Sequence, residues 1–185
     1  GHGYDHFQIT STRAFETIFR IRYEIIGTPK ISIVIPNKDH VEDLRRCVTS
    51  IREKSTYDNY DIIIVENNSE SDGIFKYYGE LLGCEYSAKT AGVCTNPEGK
   101  ISVVRFEGAF NYSAVNNLGA KHASGDYLLL LNNDTEVITV NWMEELLMYA
   151  QREDVGAVGA KLYYGDRTIQ HAGVILALGA HRTAG

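Results

Sequence analysis

Two periodicities alternate along this chain from residue 31 onward. Ile31–Ile35 is an apolar, β-branched run stopped by Pro36 and reads as a strand. Asp39 with Glu42 three residues on has capping-box spacing. Val41, Leu44, Val48 and Ile51 then recur at helical intervals, with Arg45, Arg46, Arg52 and Lys54 on the opposite side. A second strand, Asp61–Val65, runs into Glu66-Asn67-Asn68-Ser69. Ser69 with Asp72 resembles a helix cap, and Ile74, Tyr77, Tyr78, Leu81 and Leu82 make one helical face. Gly83–Lys100 reads as a loop and Ile101–Phe106 as a third strand. Tyr112–Ala123 is a predicted helix with Gly125 as its left-handed stop. Tyr127–Leu131 is apolar throughout, the pattern of a strand covered on both faces, and leads into Asn132-Asn133-Asp134-Thr135-Glu136. An amphipathic helix over Asn141–Gln151, a strand over Val155–Tyr163 and an apolar segment at Ile169–Leu176 complete the series.

Strands alternating with helices of this length predict an α/β fold with a mostly parallel sheet and right-handed crossovers. Residues 1–29 read differently, as an N-terminal extension to a domain spanning 30–185. Phe19, Ile21, Tyr23 and Ile25 alternate with Arg20, Arg22 and Glu24, which suits a strand, whereas Arg13–Ile18 suits the start of a helix. Thr28-Pro29 separates this stretch from the α/β pattern that begins at Ile31. The opening Gly1-His2-Gly3 lacks an initiating Met and any signal pattern, so the chain reads as a piece of something longer with a tag scar.

Composition narrows the function classes. The chain has 185 residues, with Lys+Arg 18 against Asp+Glu 24 and a net charge of −6. No basic footprint for nucleic acid is present, and an anionic ligand must be held by a local device. No run approaches the roughly 20 apolar residues of a membrane helix, so membrane association would come only from other regions of a longer protein. Cys47, Cys84 and Cys94 show neither zinc nor disulfide spacing, and a reduced cytoplasmic setting is the expectation.

In open α/β sheets ligands bind outside the carboxyl ends of the strands, where strand order reverses. Three strands end in polar clusters: Pro36-Asn37-Lys38-Asp39, Glu66-Asn67-Asn68-Ser69 and Asn132-Asn133-Asp134-Thr135-Glu136. A carboxylate such as Glu66 can accept from a nucleobase N–H or a ribose hydroxyl, or cap the next helix. Asp134 and Glu136 are hard oxygen ligands suited to Mg²⁺ or Mn²⁺ when a diphosphate supplies further oxygens. Asn132 and Asn133 can bond phosphate, ligate through a carbonyl, or form an Asx-turn. Neither a Gly-x-Gly-x-x-Gly nor a Gly-Lys-Ser/Thr loop follows the first strand, which disfavours dinucleotide oxidoreductases and P-loop nucleotidases.

These residues carry a family likeness. Ile31-Ser32-Ile33-Val34-Ile35-Pro36-Asn37 resembles the opening of family 2 glycosyltransferases of GT-A fold, a Rossmann-like architecture. Ile63-Ile64-Val65-Glu66-Asn67-Asn68-Ser69 is similar to that family's second strand and acidic turn. Asn116-Asn117-Leu118-Gly119-Ala120 and then Gly125–Asp134 resemble its helix, strand and Asp-x-Asp motif. The resemblance runs from Ile31 to Leu176, and the wording is most like bacterial transferases, rhamnosyltransferases among them, that build surface polysaccharides.

The resemblance implies transfer of a sugar, with inversion, from a UDP- or dTDP-type sugar to a glycan or lipid-linked acceptor. In it Asp134 would hold Mn²⁺ or Mg²⁺, Glu66 would bind the base, and Pro36, Asn37 and Lys38 would line the base pocket. Asp39, Asn68, Asn132 and Asn133 would complete the nucleotide-sugar site, and Asn117 would face the donor. Asn132 replaces the motif's first Asp, Glu66 replaces Asp, and Asn116 replaces an Arg. The family's general base lies further downstream, which places it beyond Gly185 and makes this the donor-binding half. Asp166 and His171 are the titratable candidates after the motif. A module that keeps the fold and binds nucleotide-sugar without catalysis is the alternative.

Overall fold

The computed structural model describes residues 6–12, 15, 17–177 and 180–183, with backbone alone for 174–177 and 180–183. Its elements run β1 (Phe7–Ser11), β2 (Phe19–Tyr23), β3 (Ile31–Asn37), α1 (Val41–Lys54), β4 (Tyr60–Glu66) and α2 (Asp72–Leu82). Next come β5 (Val93–Thr95), β6 (Ile101–Arg105), α3 (Tyr112–His122), β7 (Tyr127–Leu130) and α4 (Trp142–Ala150). The pairs β8 (Leu162–Tyr163) with β9 (Ile169–His171) and β10 (Val174–Ala177) with β11 (Ala180–Thr183) are antiparallel.

One unit, Gly27–Trp142, holds a five-stranded sheet in the order β5-β6-β4-β3-β7. β3 pairs in parallel with β4 and β7, and β4 with β6; only β5 runs antiparallel. The β-branched run of β3 is fully buried from Ile31 to Ile35, as suits a strand with neighbours on both edges and helices over its faces. Successive strands β4 and β6 lie to one side of β3, and β7 crosses to the other. The switch point therefore falls between β3 and β7, and Asn37 stands opposite Glu66 in the β3–β4 register.

Close packing sets the other side of the sheet. A Cβ on Gly119 of α3 would lie 2.3 Å from Val34 Cγ1 and 2.9 Å from Val65 Cγ2, so only glycine brings the helix this near. Gly125 corrects the expectation of a left-handed stop. α3 ends at His122 with Ala123 extended, and Gly125 matters because a Cβ there would lie 2.6 Å from Ser32 N and 2.8 Å from Lys30 O.

Three further expectations change. The Gly83–Lys100 stretch contains β5, an edge strand too short to show a period. β7 is half-buried on one face, at Tyr127 and Leu129, and open on the other, with Leu128 and Leu130 each 52% exposed. Of Val155–Tyr163 only Leu162–Tyr163 is a strand, its glycines and alanines offering little side chain to pack.

The other unit combines Gly1–Ile26 with Met143–Gly185. Its β1–β2 hairpin answers the choice left open for the N-terminus at Phe19–Tyr23 in favour of a strand. Of the Arg13–Ile18 start, residues 13, 14 and 16 lie outside the described residues. Glu145 of α4 pairs with Arg20 and Arg22, and Tyr149 donates to the Ile21 carbonyl at 2.8 Å. No helix among the described residues is long and apolar enough to cross a membrane.

Candidate donor-binding site

The sheet's carboxyl edge carries a connected set of buried polar side chains. Asn37, the last residue of β3, is 3% exposed. Its Nδ2 donates to the Asp39 carbonyl at 2.9 Å and to the Tyr78 hydroxyl at 2.8 Å. Its Oδ1 accepts from Asn133 Nδ2 at 2.7 Å. This last bond bridges the switch point and joins two of the three predicted clusters.

Glu66 joins the third. It is 0% exposed, and Oε1 accepts from the Ser69 amide at 2.5 Å while Oε2 accepts from Ser69 Oγ at 2.6 Å and Tyr78 OH at 2.7 Å. A carboxylate expected to face a nucleobase is therefore spent on the turn beneath it. The additional methylene of Glu lets the carboxylate fold back over Ser69. Burial, followed by the neighbouring Glu66 charge, pushes the Tyr78 phenol well above its ordinary range, so Tyr78 stays a donor.

The helix starts are organised differently from the predicted caps. α1 begins after His40 with no side-chain cap, because Asp39 faces the other way. Asp39 Oδ1 accepts from the Glu70 and Ser71 amides, each at 2.9 Å, serving the start of α2, while the Asp39 amide donates to Ser69 Oγ at 2.7 Å. Ser69 is likewise no cap for α2, whose N-cap is Ser71; its hydroxyl goes to Glu66. Asp39, His40 and Asn68 all hold left-handed backbone, φ 54°, 48° and 56°. Such strain persists where surrounding bonds over-determine it. Asn68 Nδ2 donates to the Gly108 carbonyl at 2.6 Å and Asn67 Nδ2 to the same oxygen at 3.2 Å, tying the β6–α3 loop to the edge.

Beyond β7, Asn132 and Asp134 are exposed and Asn133 is half-buried. The Cys47 thiol, 3.7 Å from the Asn132 carbonyl, supports this loop from below. Burial, with the Asp134 charge adding, pushes that thiol up to about 12, so it is inert. Glu136 does not accompany Asp134 as a cation ligand: Lys54 Nζ pairs with it at 2.7 Å and holds its carboxyl below the usual range.

Among the described residues no group of three or more His, Cys, Asp or Glu could enclose a metal ion. The carboxylate of Asp134 nevertheless suits a cation bound chiefly through a diphosphate, since Mg²⁺ sites of that kind use one or two protein carboxylates. No hydrogen bond or ion pair engages Asp134 among the described residues, whereas Glu66, Asp39 and Glu136 are all committed.

Pro36 is half-buried and Lys38 exposed, flanking Asn37. Asn117 lies exposed on α3, while Asn116 is buried, donates to the Tyr112 carbonyl at 2.8 Å and leaves Oδ1 unpaired. Asp166 is a turn residue, accepting from Thr168 N at 2.9 Å and Oγ1 at 2.6 Å. His171 sits half-buried in β9. Sequence reasoning missed Tyr78 as a site organiser. Its phenol on an otherwise apolar helical face was the available signal, because a buried tyrosine hydroxyl needs a partner.

Comparison with known proteins agrees with this fold. The family described as Glycosyl transferase family 2 matches residues 32–174. The O-antigen biosynthesis protein RfbC of Myxococcus xanthus is 38% identical over 160 residues, 86% of this chain and 11% of that protein. The uncharacterized protein y4gI of Sinorhizobium fredii is 38% identical over 161 residues, 87% of this chain and 16% of its own length. The chain thus spans under one fifth of either relative. A mannosyltransferase, PcManGT from Pyrobaculum calidifontis, solved in complex with GDP-Man and Mn²⁺, superposes with a TM-score of 0.56 at 11% identity. The match covers 70% of this chain and 34% of that one, and supports the GT-A fold.

Proposed function

The chain belongs to the family 2 glycosyltransferases, and from that membership we propose that it supplies the donor-binding portion of an inverting transferase. The donor is a nucleoside diphosphate sugar of uridine or thymidine type. The acceptor is a glycan or lipid-linked acceptor in bacterial surface polysaccharide synthesis, a reading favoured by the likeness to an O-antigen biosynthesis protein. The observation that carries the proposal is the Asn37–Asn133 bond, which brings the β3 loop and the Asp134 loop together at the switch point.

In this reading Pro36 and Lys38 line the base pocket on either side of Asn37, whose buried side chain holds the loops from within, and Asn68, Asn117 and Asn132 complete the donor's polar surroundings. Glu66 and Asp39 act from beneath, fixing the loops rather than touching the base. Asp134 would hold Mn²⁺ or Mg²⁺, a cation that stabilises charge developing on the departing diphosphate. The acceptor hydroxyl must also lose its proton to a carboxylate base, and none of the described residues is assigned that task.

A melting-temperature panel of UDP, dTDP and GDP, each with and without Mn²⁺, tests the proposal. Ligand at about 100 Kd stabilises by about 2.7 kcal/mol, a shift of several degrees for a chain of this size. Asp134→Ala should abolish the metal-dependent part. The absence of any shift across the panel would contradict donor binding.

A further inference from the structure

Resting on the donor-site reading above, we propose that a buried relay from Glu66 through Tyr78 and Asn37 fixes the polarity of the Asn133 carboxamide, making its oxygen a second ligand beside Asp134. The direction of each bond forces the next. The Asn37 amide faces the backbone carbonyl of Asp39 at 2.9 Å, and only its NH₂ can meet a carbonyl. Asn37 therefore cannot be flipped without placing two oxygens against each other.

With Nδ2 so placed, Asn37 donates to the Tyr78 oxygen at 2.8 Å, and the single Tyr78 proton goes to Glu66 Oε2 at 2.7 Å. Glu66 can receive it because Ser69 supplies the remaining donors. The Ser69 hydroxyl accepts from the Asp39 amide at 2.7 Å and so has its own proton for Glu66. The far end of the relay is then determined. Asn37 Oδ1 is an acceptor, so Asn133 must present Nδ2 to it, at 2.7 Å.

Asn133 Oδ1 is the atom left over. No hydrogen bond engages it among the described residues, and the residue is half-buried rather than sealed, so a ligand can reach it. It belongs to the residue preceding Asp134, and a carboxamide oxygen is a hard donor suited to Mg²⁺ or Mn²⁺. One carboxylate plus one oriented amide oxygen answers the loss of an acid at Asn132. Tyr78, on α2, is a positioning residue for that oxygen.

The test is a titration of the 185-residue chain with Mn²⁺, read by the EPR signal of free Mn²⁺ in the presence of UDP, dTDP or GDP. Calorimetric Kd values for the same nucleotides without metal run in parallel. Wild type should bind nucleotide more tightly with Mn²⁺ than without. Asn133→Ala should cut that enhancement, taken as the ratio of the metal-free Kd to the Kd with Mn²⁺ in the same variant, about three- to tenfold, the scale of one good polar contact. Tyr78→Phe, in which the Asp39 carbonyl still holds the Asn37 NH₂, should lower the enhancement by less than Asn133→Ala does, and Tyr78→Phe with Asn133→Ala should be no worse than Asn133→Ala alone, since both cut one chain.

Enhancement in Asn133→Ala equal to wild type would overturn the proposal even if Tyr78→Phe fails to fold, because Asn133 lies on a half-exposed loop. Independent, additive losses would overturn the relay while leaving Asn133 as a ligand. A wild-type affinity indifferent to Mn²⁺ would instead contradict the underlying cation reading, and the proposal with it.

Discussion

A carboxylate removed from water must be neutralised or fully hydrogen-bonded, and Glu66 takes the second course with the Ser69 amide, the Ser69 hydroxyl and the Tyr78 phenol. All three are donors, so the site is built for an ion and not for an amide. Glu66→Gln would set an NH₂ group against donors. It should lower unfolding free energy by about 1–3 kcal/mol in denaturant titration, with an unchanged midpoint contradicting this role. Asp134 is the opposite case, exposed and uncommitted. Asp134→Asn should leave stability within about 0.5 kcal/mol while removing the Mn²⁺ response of nucleotide binding. A stable variant that still responds to Mn²⁺ would move the cation elsewhere.

Among the elements, β3, β4 and β6 were readable in the sequence because buried parallel strands appear as mostly apolar, β-branched runs, broken only by Ser32 in β3 and Ser102 in β6. α1 and α2 were readable because their apolar faces repeat at helical spacing. The ends were not readable. Asp39 has the spacing of a cap for the helix that follows it, yet it bonds the amides at the start of α2, 31 and 32 residues away in sequence, a tertiary pairing with no local signature. The carboxyl-edge location of the site followed from topology, and the Asn133 link to Asn37 could not, because register and side-chain direction are set by the assembled sheet. Gly119 and Gly125 show the same limit. Gly119→Ala and Gly125→Ala should each destabilise by about 1–3 kcal/mol or more, the first against Val34 and Val65, the second against backbone of Lys30 and Ser32. By contrast Leu128→Thr and Leu130→Thr, on the open face of β7, should each cost less than about 1 kcal/mol in this chain. Equal costs for the glycine and leucine changes would contradict the packing described.

At the level of the whole molecule, the buried tyrosines and Cys47 shape the response to pH. Burial raises Cys47 from 9.0 and Tyr77 and Tyr86 from 10.0, each to about 12, and holds Tyr78 well above its ordinary value. Groups with raised folded values contribute stability that is present below their unfolded values and lost as pH rises through the folded ones. Stability should therefore fall as pH climbs above about 9–10, with the tyrosinate absorbance of the buried Tyr77, Tyr78 and Tyr86 appearing together with unfolding. Tyrosinate absorbance at about pH 10 that is lost in Tyr77→Phe or Tyr86→Phe while the chain stays folded would contradict the burial.

The acidic balance, a net charge of −6, gives the molecule no general attraction for a diphosphate. In the proposed reading a cation at the carboxyl edge supplies that attraction locally. The most direct measurement is anomalous diffraction from crystals grown with UDP, dTDP or GDP and Mn²⁺. A manganese peak within about 2.5 Å of an Asp134 carboxylate oxygen, with the base against Pro36–Lys38, is the predicted result. A manganese peak at any other group, or a nucleotide bound away from the carboxyl ends of β3, β4 and β7, would contradict it.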